Sequence, residues 1–424
     1  MQDLLLLTHR IPYPPNKGDK IRSFHLLKHL SSCYRVHLGT FIDDAADRRY
    51  IPEVRELCGE AYFARLNPPV AKLRSLWGLI SGEPLTLVYY RDRGLDTWAK
   101  RILRQRSIAR IVVFSSAMAQ YADGITMNGV RRVIDFVDVD SDKWCQYARS
   151  RRWPMGWVYQ RESETLLDYE RQVAGRFDAC IFVSEPEARL FARLAPEMAE
   201  RASFVNNGVD GDYFSPTRVY PVPYSPDQKV LVFTGAMDYW ANADAVAWFA
   251  REVFPLVRQQ IPDAYFYIVG ARPSAAVCRL THVPGIQVTG SVEDIRPYLA
   301  HAQLAVAPLR IARGVQNKVL EAMAMGRPVV ATPLALEGIA ARPGRDVLVA
   351  DHPRQFADLV VEIMQRGNLA SLGWNARQYV LKHYNWTENL KRLEDLLEGR
   401  TSKGTPEIVG EAMRPLGSTG GSTT

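Results

Sequence analysis

Short apolar runs recur along the chain at residues 4–8, 36–41, 61–66, 111–114, 133–137, 180–183 and 204–205. They return at 230–234, 265–269, 286–289, 304–307, 329–331 and 347–349. Stretches of helical length and period separate them, and strands spaced by helices predict parallel sheets built from βαβ units. Inside the runs the apolar residues are consecutive rather than alternating, as in Leu4, Leu5, Leu6 and Leu7. That pattern belongs to strands covered on both faces.

The pattern stops once. Residues 206–229 hold Gly208, Gly211, Pro216, Pro221, Pro223 and Pro226, which suit neither a helix nor a central strand. Beyond them the alternation starts again. The expected organisation is an α/β chain of two Rossmann-like, doubly wound parallel-sheet domains facing a cleft. Residues 1–213 form the first domain, 214–228 a linker and 229–385 the second. A terminal helix at 386–400, with Leu390, Leu393, Leu396 and Leu397 on one side, packs back on the first. Residues 401–424 lack periodicity, end in Gly, Ser and Thr, and are expected to be disordered.

Composition changes this picture little. With 424 residues, two domains are the default, and 47% hydrophobic with 23% charged residues is ordinary for a globular protein. No apolar run reaches 18 residues, and the run at residues 4–7 is too short for a signal segment. Cys33, Cys58, Cys145, Cys180 and Cys278 are scattered and form no CxxC pair, so neither a disulfide framework nor a metal site is expected. A cytoplasmic protein follows from these features. The formal charge of +7 concentrates in the first half, at Lys100, Arg101, Arg104, Arg106 and Arg110 and at Arg149, Arg151 and Arg152. It favours nucleotide phosphates or anionic lipid head groups over nucleic acid, for which no reader motif is present. Residues 70–80 mix Leu73, Leu76, Trp77 and Ile80 with Lys72 and Arg74. They suit a helix that packs on its own core, or one that touches the inner membrane face peripherally.

Candidate chemistry gathers at residues 310–332, RIARGVQNKVLEAMAMGRPVVAT. A helix is predicted from Asn317 to Met325, with Val319, Leu320, Met323 and Ala324 inward and Gly326 as its stop. Its start lies past the carboxyl end of a parallel strand, where open α/β sheets bind ligands. Free amides near Gly314, Val315, Gln316 and Asn317 would suit a diphosphate. Lys318 and Glu321 share one side of the helix. A lysine matches a leaving phosphate and a carboxylate matches ribose hydroxyls, whereas an exposed ion pair on a packing helix would need no ligand.

This segment, Gly314-x-x-x-Lys318-x-x-Glu321-Ala-Met-Ala-x-Gly326-x-Pro328-Val-Val-Ala, resembles the donor-site signature of the retaining, group 1 glycosyltransferases of GT-B architecture. The resemblance continues in Asn207-Gly208-Val209-Asp210 and in Phe233-Thr234-Gly235-x-Met237-x-Tyr239, and it covers residues 1–398. Residues 134–144 and 239–249 look like the branch associated with PEP-CTERM/exosortase exopolysaccharide systems. The resemblance implies that Glu321 holds the ribose of a nucleoside-diphosphate sugar, that Lys318 neutralises the diphosphate, and that Gly235 lies in the donor site. It also implies a glycan or lipid-linked acceptor, and no cofactor beyond the donor itself. Two positions depart from the pattern. Arg313 stands where the first glutamate of the Glu-x7-Glu pair belongs, and Ala236, Met237 and Asp238 follow Gly235 in place of an Arg/Lys pair.

Two first-half stretches complete the candidate site. In residues 12–22, PYPPNKGDKIR, Gly18 allows close backbone approach to the donor phosphate. Asp19 either orients the acceptor hydroxyl or caps the following helix, and Lys20 or Arg22 could meet an anionic acceptor. In Asp135-Phe-Val-Asp138-Val-Asp140, Asp138 is a candidate for sugar or acceptor contact, and a DxD metal site is the alternative. His25 and His29 lack the glutamate and third ligand of a zincin, and neither a Ser-His-Asp triad nor a Walker loop occurs. The expected reaction is retaining, metal-independent hexosyl transfer. An epimerase on the same fold and a non-catalytic nucleotide-sugar binder are its rivals.

Overall fold

The computed structural model describes residues 1–122, 129–312, 314–366 and 370–400. Arg313 and the tail at 401–424 lie outside the described residues. The first sheet comprises β1 (Asp3–Thr8), β2 (Arg35–Ile42), β3 (Glu60–Arg65), β4 (Ile108–Phe114), β5 (Arg131–Val137), β6 (Ala179–Phe182) and β7 (Ala202–Phe204). Its order is β3-β2-β1-β4-β5-β6-β7, parallel throughout. The second sheet comprises β8 (Lys229–Thr234), β9 (Ala264–Val269), β10 (Ile286–Gly290), β11 (Leu304–Ala307), β12 (Val329–Ala331) and β13 (Leu348–Val349), in the order β10-β9-β8-β11-β12-β13 and again parallel. Every apolar run noted in the sequence is one of these strands, displaced by at most a few residues.

The first sheet is covered on both sides, which is why its strands are apolar throughout. On one face α1 (Gly18–Cys33) places Leu26, Leu27 and Leu30 against Leu4, Leu6, Val36 and Leu38. Helices α2 (Pro68–Ser75), α3 (Asp140–Ser150) and α4 (Met155–Arg176) lie in the same domain, α3 and α4 packing on each other. In the second domain α5 (Trp240–Trp248) follows β8, α6 (Asn317–Ala324) follows β11, and α7 (Ala370–His383) packs on α6.

The chain crosses between domains at two points that touch each other. Val209 donates its amide to the Tyr384 carbonyl at 2.7 Å, and a Cβ on Gly208 would lie 2.5 Å from the Trp386 nitrogen. The close approach of these crossings demands glycine at 208. After the return, α8 (Trp386–Glu398) buries Trp386, Leu390, Leu393 and Leu397 in the core of the first domain. Residues 214–228 are no loose connection, because Phe214, Tyr220 and Tyr224 pack on the second core. Among the described residues no helix is long and apolar enough to cross a membrane.

Candidate active site

In the second sheet β8 continues to β9 on one side and β11 to β12 on the other. Connections leaving in opposite directions open a crevice at the carboxyl ends of the two strands. Gly235 closes β8 at this point, and Lys318, in the first turn of α6, lies directly on it. A Cβ at Gly235 would stand 2.8 Å from Asn242 Nδ2 and 3.3 Å from Lys318 Cε, so a larger residue would displace the lysine.

The Lys318 ammonium donates to Asn242 Oδ1 at 3.1 Å and to Gln316 Oε1 at 3.3 Å. Asn242 is held in turn by its own donation to the Ala236 carbonyl at 2.8 Å. Among the described residues no carboxylate comes within ion-pair distance of this ammonium. Burial pulls its pKa down to about 8 against the opposing pull of Glu321. Glu321 is half-buried, and its carboxylate makes no hydrogen bond among the described residues. Burial pushes its carboxyl up to about 7, with Lys318 opposing. The exposed ion pair entertained from spacing is therefore corrected: both groups are desolvated and neither neutralises the other at contact. A half-buried cation with only neutral hydrogen-bond partners is poorly compensated, and an anion would complete it.

The loop before α6 supplies amides beside that ammonium. Gly314 has φ +61°, and a Cβ there would meet Asp138 Oδ1 at 2.6 Å. Gln316 occupies the N-cap without a side-chain capping bond, leaving the helix start open. Val315 packs on the second core. Asn317 Oδ1 accepts from Asn207 Nδ2 at 3.2 Å, and a Cβ on Gly18 would stand 3.7 Å from Asn317 Nδ2. Gly18 thus faces the start of α6 from the opposite domain. Close approaches therefore link Gly18 to Asn317, Asp138 to Gly314, and Gly235 and Gln316 to Lys318, with Glu321 one turn further along α6.

Other residues of the first domain are placed differently from the expectation. Lys20 is 1% exposed, with Nζ 2.6 Å from Asp47 Oδ2. Arg22 is equally deep, donating to Asp135 Oδ2 at 2.7 Å, the Val205 carbonyl at 2.7 Å and Asn207 Oδ1 at 2.9 Å. Neither can meet an acceptor, because the inward face of α1 points them at Asp47, just beyond β2, and at Asp135 within β5. Asp19 does not cap α1; the N-cap is Lys17, without a side-chain bond. Its carboxylate is taken by Arg10 and by His9, whose Nε2 is 3.3 Å away. Burial alone would raise the Asp19 pKa, yet the His9 hydrogen bond and the Arg10 charge hold it well below the usual carboxylate range.

Asp135 is spent on Arg22, and Asp140 faces Lys143 at 3.6 Å. Asp138 follows Val137, whose φ of +70° is costly for a β-branched residue. The Asp138 amide donates back to the Phe136 carbonyl at 3.0 Å, and this tight turn aims its side chain at Gly314. Lys143 has its pKa raised by Asp140 first, against burial, with Asp138 adding. Tyr147 reaches across to the second domain, its ring centroid 5.8 Å from that of Trp240. Asn242, Lys143, Tyr147 and Trp240 were not singled out from the sequence. All four lie in the first two turns or so of α3 or α5, and their partners, Lys318 for Asn242, Asp140 for Lys143 and each other for Tyr147 and Trp240, are distant in sequence or unmarked by any motif.

Residues 228–366, which contain this crevice's lysine, glutamate and glycines, match the family model described as glycosyl transferases group 1. The second domain is thus similar to the group 1 glycosyl transferases over most of its length. D-inositol 3-phosphate glycosyltransferase 2 of Catenulispora acidiphila is 26% identical over 254 residues, which are 55% of this chain and 59% of that protein. The chain thus spans somewhat over half the length of this curated relative. Among solved structures, sucrose-phosphate synthase from Thermosynechococcus elongatus superposes with a TM-score of 0.66 at 17% identity, over 94% of this chain and 99% of that one. Anabaena HepE in complex with UDP gives 0.65 at 15% identity, over 94% and 100%. At such identities these likenesses establish the fold, which is GT-B. The two parallel-sheet domains together make up that architecture.

Proposed function

We propose that this chain is a retaining glycosyltransferase that moves a hexosyl group from a nucleoside-diphosphate sugar to a hydroxyl of a glycan or lipid-linked acceptor. The work is placed in the cytoplasm, in exopolysaccharide assembly of the kind associated with PEP-CTERM/exosortase systems. The observation that carries the proposal is the desolvated Lys318 ammonium, held by Asn242 and Gln316, beside an open helix start. The anomeric bond to the diphosphate breaks while the acceptor oxygen bonds to the same carbon. The acceptor proton passes to the departing phosphate oxygen, leaving a glycoside and a nucleoside diphosphate. Negative charge grows on the leaving group, so an ammonium and amides fixed in advance lower the barrier.

Glu321 is placed to receive ribose hydroxyls and Gly235 to admit the lysine. Gly18 closes on the donor from the first domain, and Asp138 stands at the donor sugar. Asp19 acts through Arg10 and His9, positioning the loop that carries Gly18. Neither a metal nor another cofactor enters this scheme. The HepE structure contains UDP, and WaaG, a structural neighbour, is described as a glycosyltransferase involved in lipopolysaccharide biosynthesis; both support the donor and acceptor classes proposed.

Calorimetry against UDP, GDP and ADP, then against the matching sugars, tests the reading. One diphosphate should bind, and binding should be lost in Lys318→Ala. NMR of the product should show the donor's anomeric configuration, and turnover should survive EDTA. Epimerised donor formed without acceptor, or binding with no transfer to any acceptor, would refute it in favour of its rivals.

A further inference from the structure

Two segments of the first domain expose large apolar side chains that its cores leave uncovered. In residues 70–80 Leu73 is 72%, Trp77 61% and Ile80 76% exposed. After α3, Trp153 is 84% and Trp157 57% exposed. The segments adjoin, because Arg161, one turn beyond Trp157 on α4, donates to the Gly78 carbonyl at 2.7 Å. The buried carboxylate of Glu162 then fixes the strap that follows, accepting the Leu85 and Thr86 amides at 2.6 and 2.9 Å. These side chains therefore form one face on a braced support.

Within these two segments the charge is of one sign, and Glu83 beside them is paired with Arg91. Residues 66–82 contain Lys72 and Arg74, residues 149–161 contain Arg149, Arg151, Arg152 and Arg161, and neither segment contains Asp or Glu. Lys72, Arg149, Arg151 and Arg152 are exposed and enter no ion pair among the described residues. Tryptophans and aliphatics surrounded by unpaired cations match the boundary between acyl chains and anionic head groups. A protein partner with an acidic rim would be the other occupant; the interleaving of unpaired cations with tryptophan, as at a head-group boundary, favours the bilayer.

The topology says where this face lies. Residues 70–80 follow the carboxyl end of β3, and α3 follows that of β5, the edge turned toward the second domain. Helix α4 returns to the amino end of β6. Its 22 residues span about 33 Å, against roughly 23 Å for the 7 residues of β5. Its first turns therefore project beyond the carboxyl edge, at the rim of the crevice.

We infer that this face seats the first domain on a bilayer bearing anionic lipids, with the mouth of the crevice toward the membrane. The inference stands apart from the catalytic proposal, because binding needs neither donor nor acceptor. Flotation of the full chain is measured with vesicles of phosphatidylcholine alone and with vesicles in which one third is phosphatidylglycerol. The protein should float with the anionic vesicles, less so in high salt, with a blue shift of tryptophan emission. The triple variant Trp77→Ser, Trp153→Ser, Trp157→Ser should lose at least tenfold in partitioning. Replacing Arg149, Arg151 and Arg152 by Gln should cost roughly fivefold per charge. All these side chains are exposed, so an unchanged melting temperature confirms folding. Equal flotation of wild type and variants, or none on either vesicle, would overturn the inference. Self-association abolished by the tryptophan substitutions, without vesicle binding, would also overturn it by assigning the face to a second copy.

Discussion

Lys318 gives the sharpest quantitative test. Its ammonium has three donors, of which two are directed at Asn242 Oδ1 and Gln316 Oε1, at 3.1 and 3.3 Å. Replacing it by Met keeps the stem that lies near Gly235 and the Phe233 ring while deleting charge and donors. In the free protein that deletion removes a half-buried cation with only neutral hydrogen-bond partners, so the melting temperature should change little. In the reaction it removes a fixed cation from the growing charge of the leaving diphosphate. Loss of one such group costs about 2.7–4 kcal/mol, or 10²–10³ in kcat. Ground-state affinity for the nucleoside diphosphate should fall by about tenfold or more, since a bond to a charged group contributes about 1.5–3 kcal/mol.

The pH dependence supplies a second readout of the same group. With its pKa drawn down to about 8 in the free protein, Lys318 loses its proton well before an ordinary lysine. A bound diphosphate favours the charged form and raises that value. Above about pH 8 binding should therefore take up a proton and weaken, as calorimetry in buffers of different ionisation heat would reveal. In Lys318→Met the uptake should vanish. Turnover within twofold of wild type in Lys318→Met, or proton uptake that persists in it, refutes the argument.

Three further outcomes are expected. Glu321→Ala should raise the donor KM by about 10- to 100-fold with a smaller change in kcat, since the carboxylate is assigned to ribose hydroxyls that bond alike in ground and transition states; steady-state kinetics checks this. Glu170 is buried, accepts from Ser141 Oγ at 2.5 Å, and has its pKa pushed up to about 8 by burial, with Ser141 opposing and Asp140 adding. The folded state thus holds a proton that the unfolded chain releases near pH 4.5, so wild-type stability should fall as pH rises through that window to about 8. The melting temperature of Glu170→Gln should be flatter over the same range. Trp386→Ala, at the return crossing, should destabilise by about 3–5 kcal/mol in denaturant titration, because the ring is buried in the first core and stacks on His25 at 4.5 Å.

How much of this was legible beforehand depends on the range of the interactions involved. Apolar runs and helical periods are local, because a strand between two helical layers must be apolar at consecutive positions whatever lies far away in the chain. The strands, the two-sheet division, the helix from Asn317 and its stop at Gly326 therefore follow from order alone. The loop after β1 follows too, since a turn after a parallel strand is punctuated by its own residues, but it ends earlier than expected, with Gly18 already the first residue of α1. The fates of Lys20 and Arg22 do not follow, for their neutralising partners are Asp47 and Asp135, with Asn207 a further acceptor, all from distant parts of the chain. Asp19 looked like a cap because its only visible neighbours were in sequence, whereas Arg10 and His9 hold it in space. Lys318 and Glu321 are one turn apart in either view, and the sequence alone leaves open an ordinary surface ion pair. The depth of burial and the neutral amides around the ammonium decide otherwise, and both exist only once β8, α5 and α6 have packed together. Charge in water is a property of the residue; charge in a crevice is a property of everything folded around it.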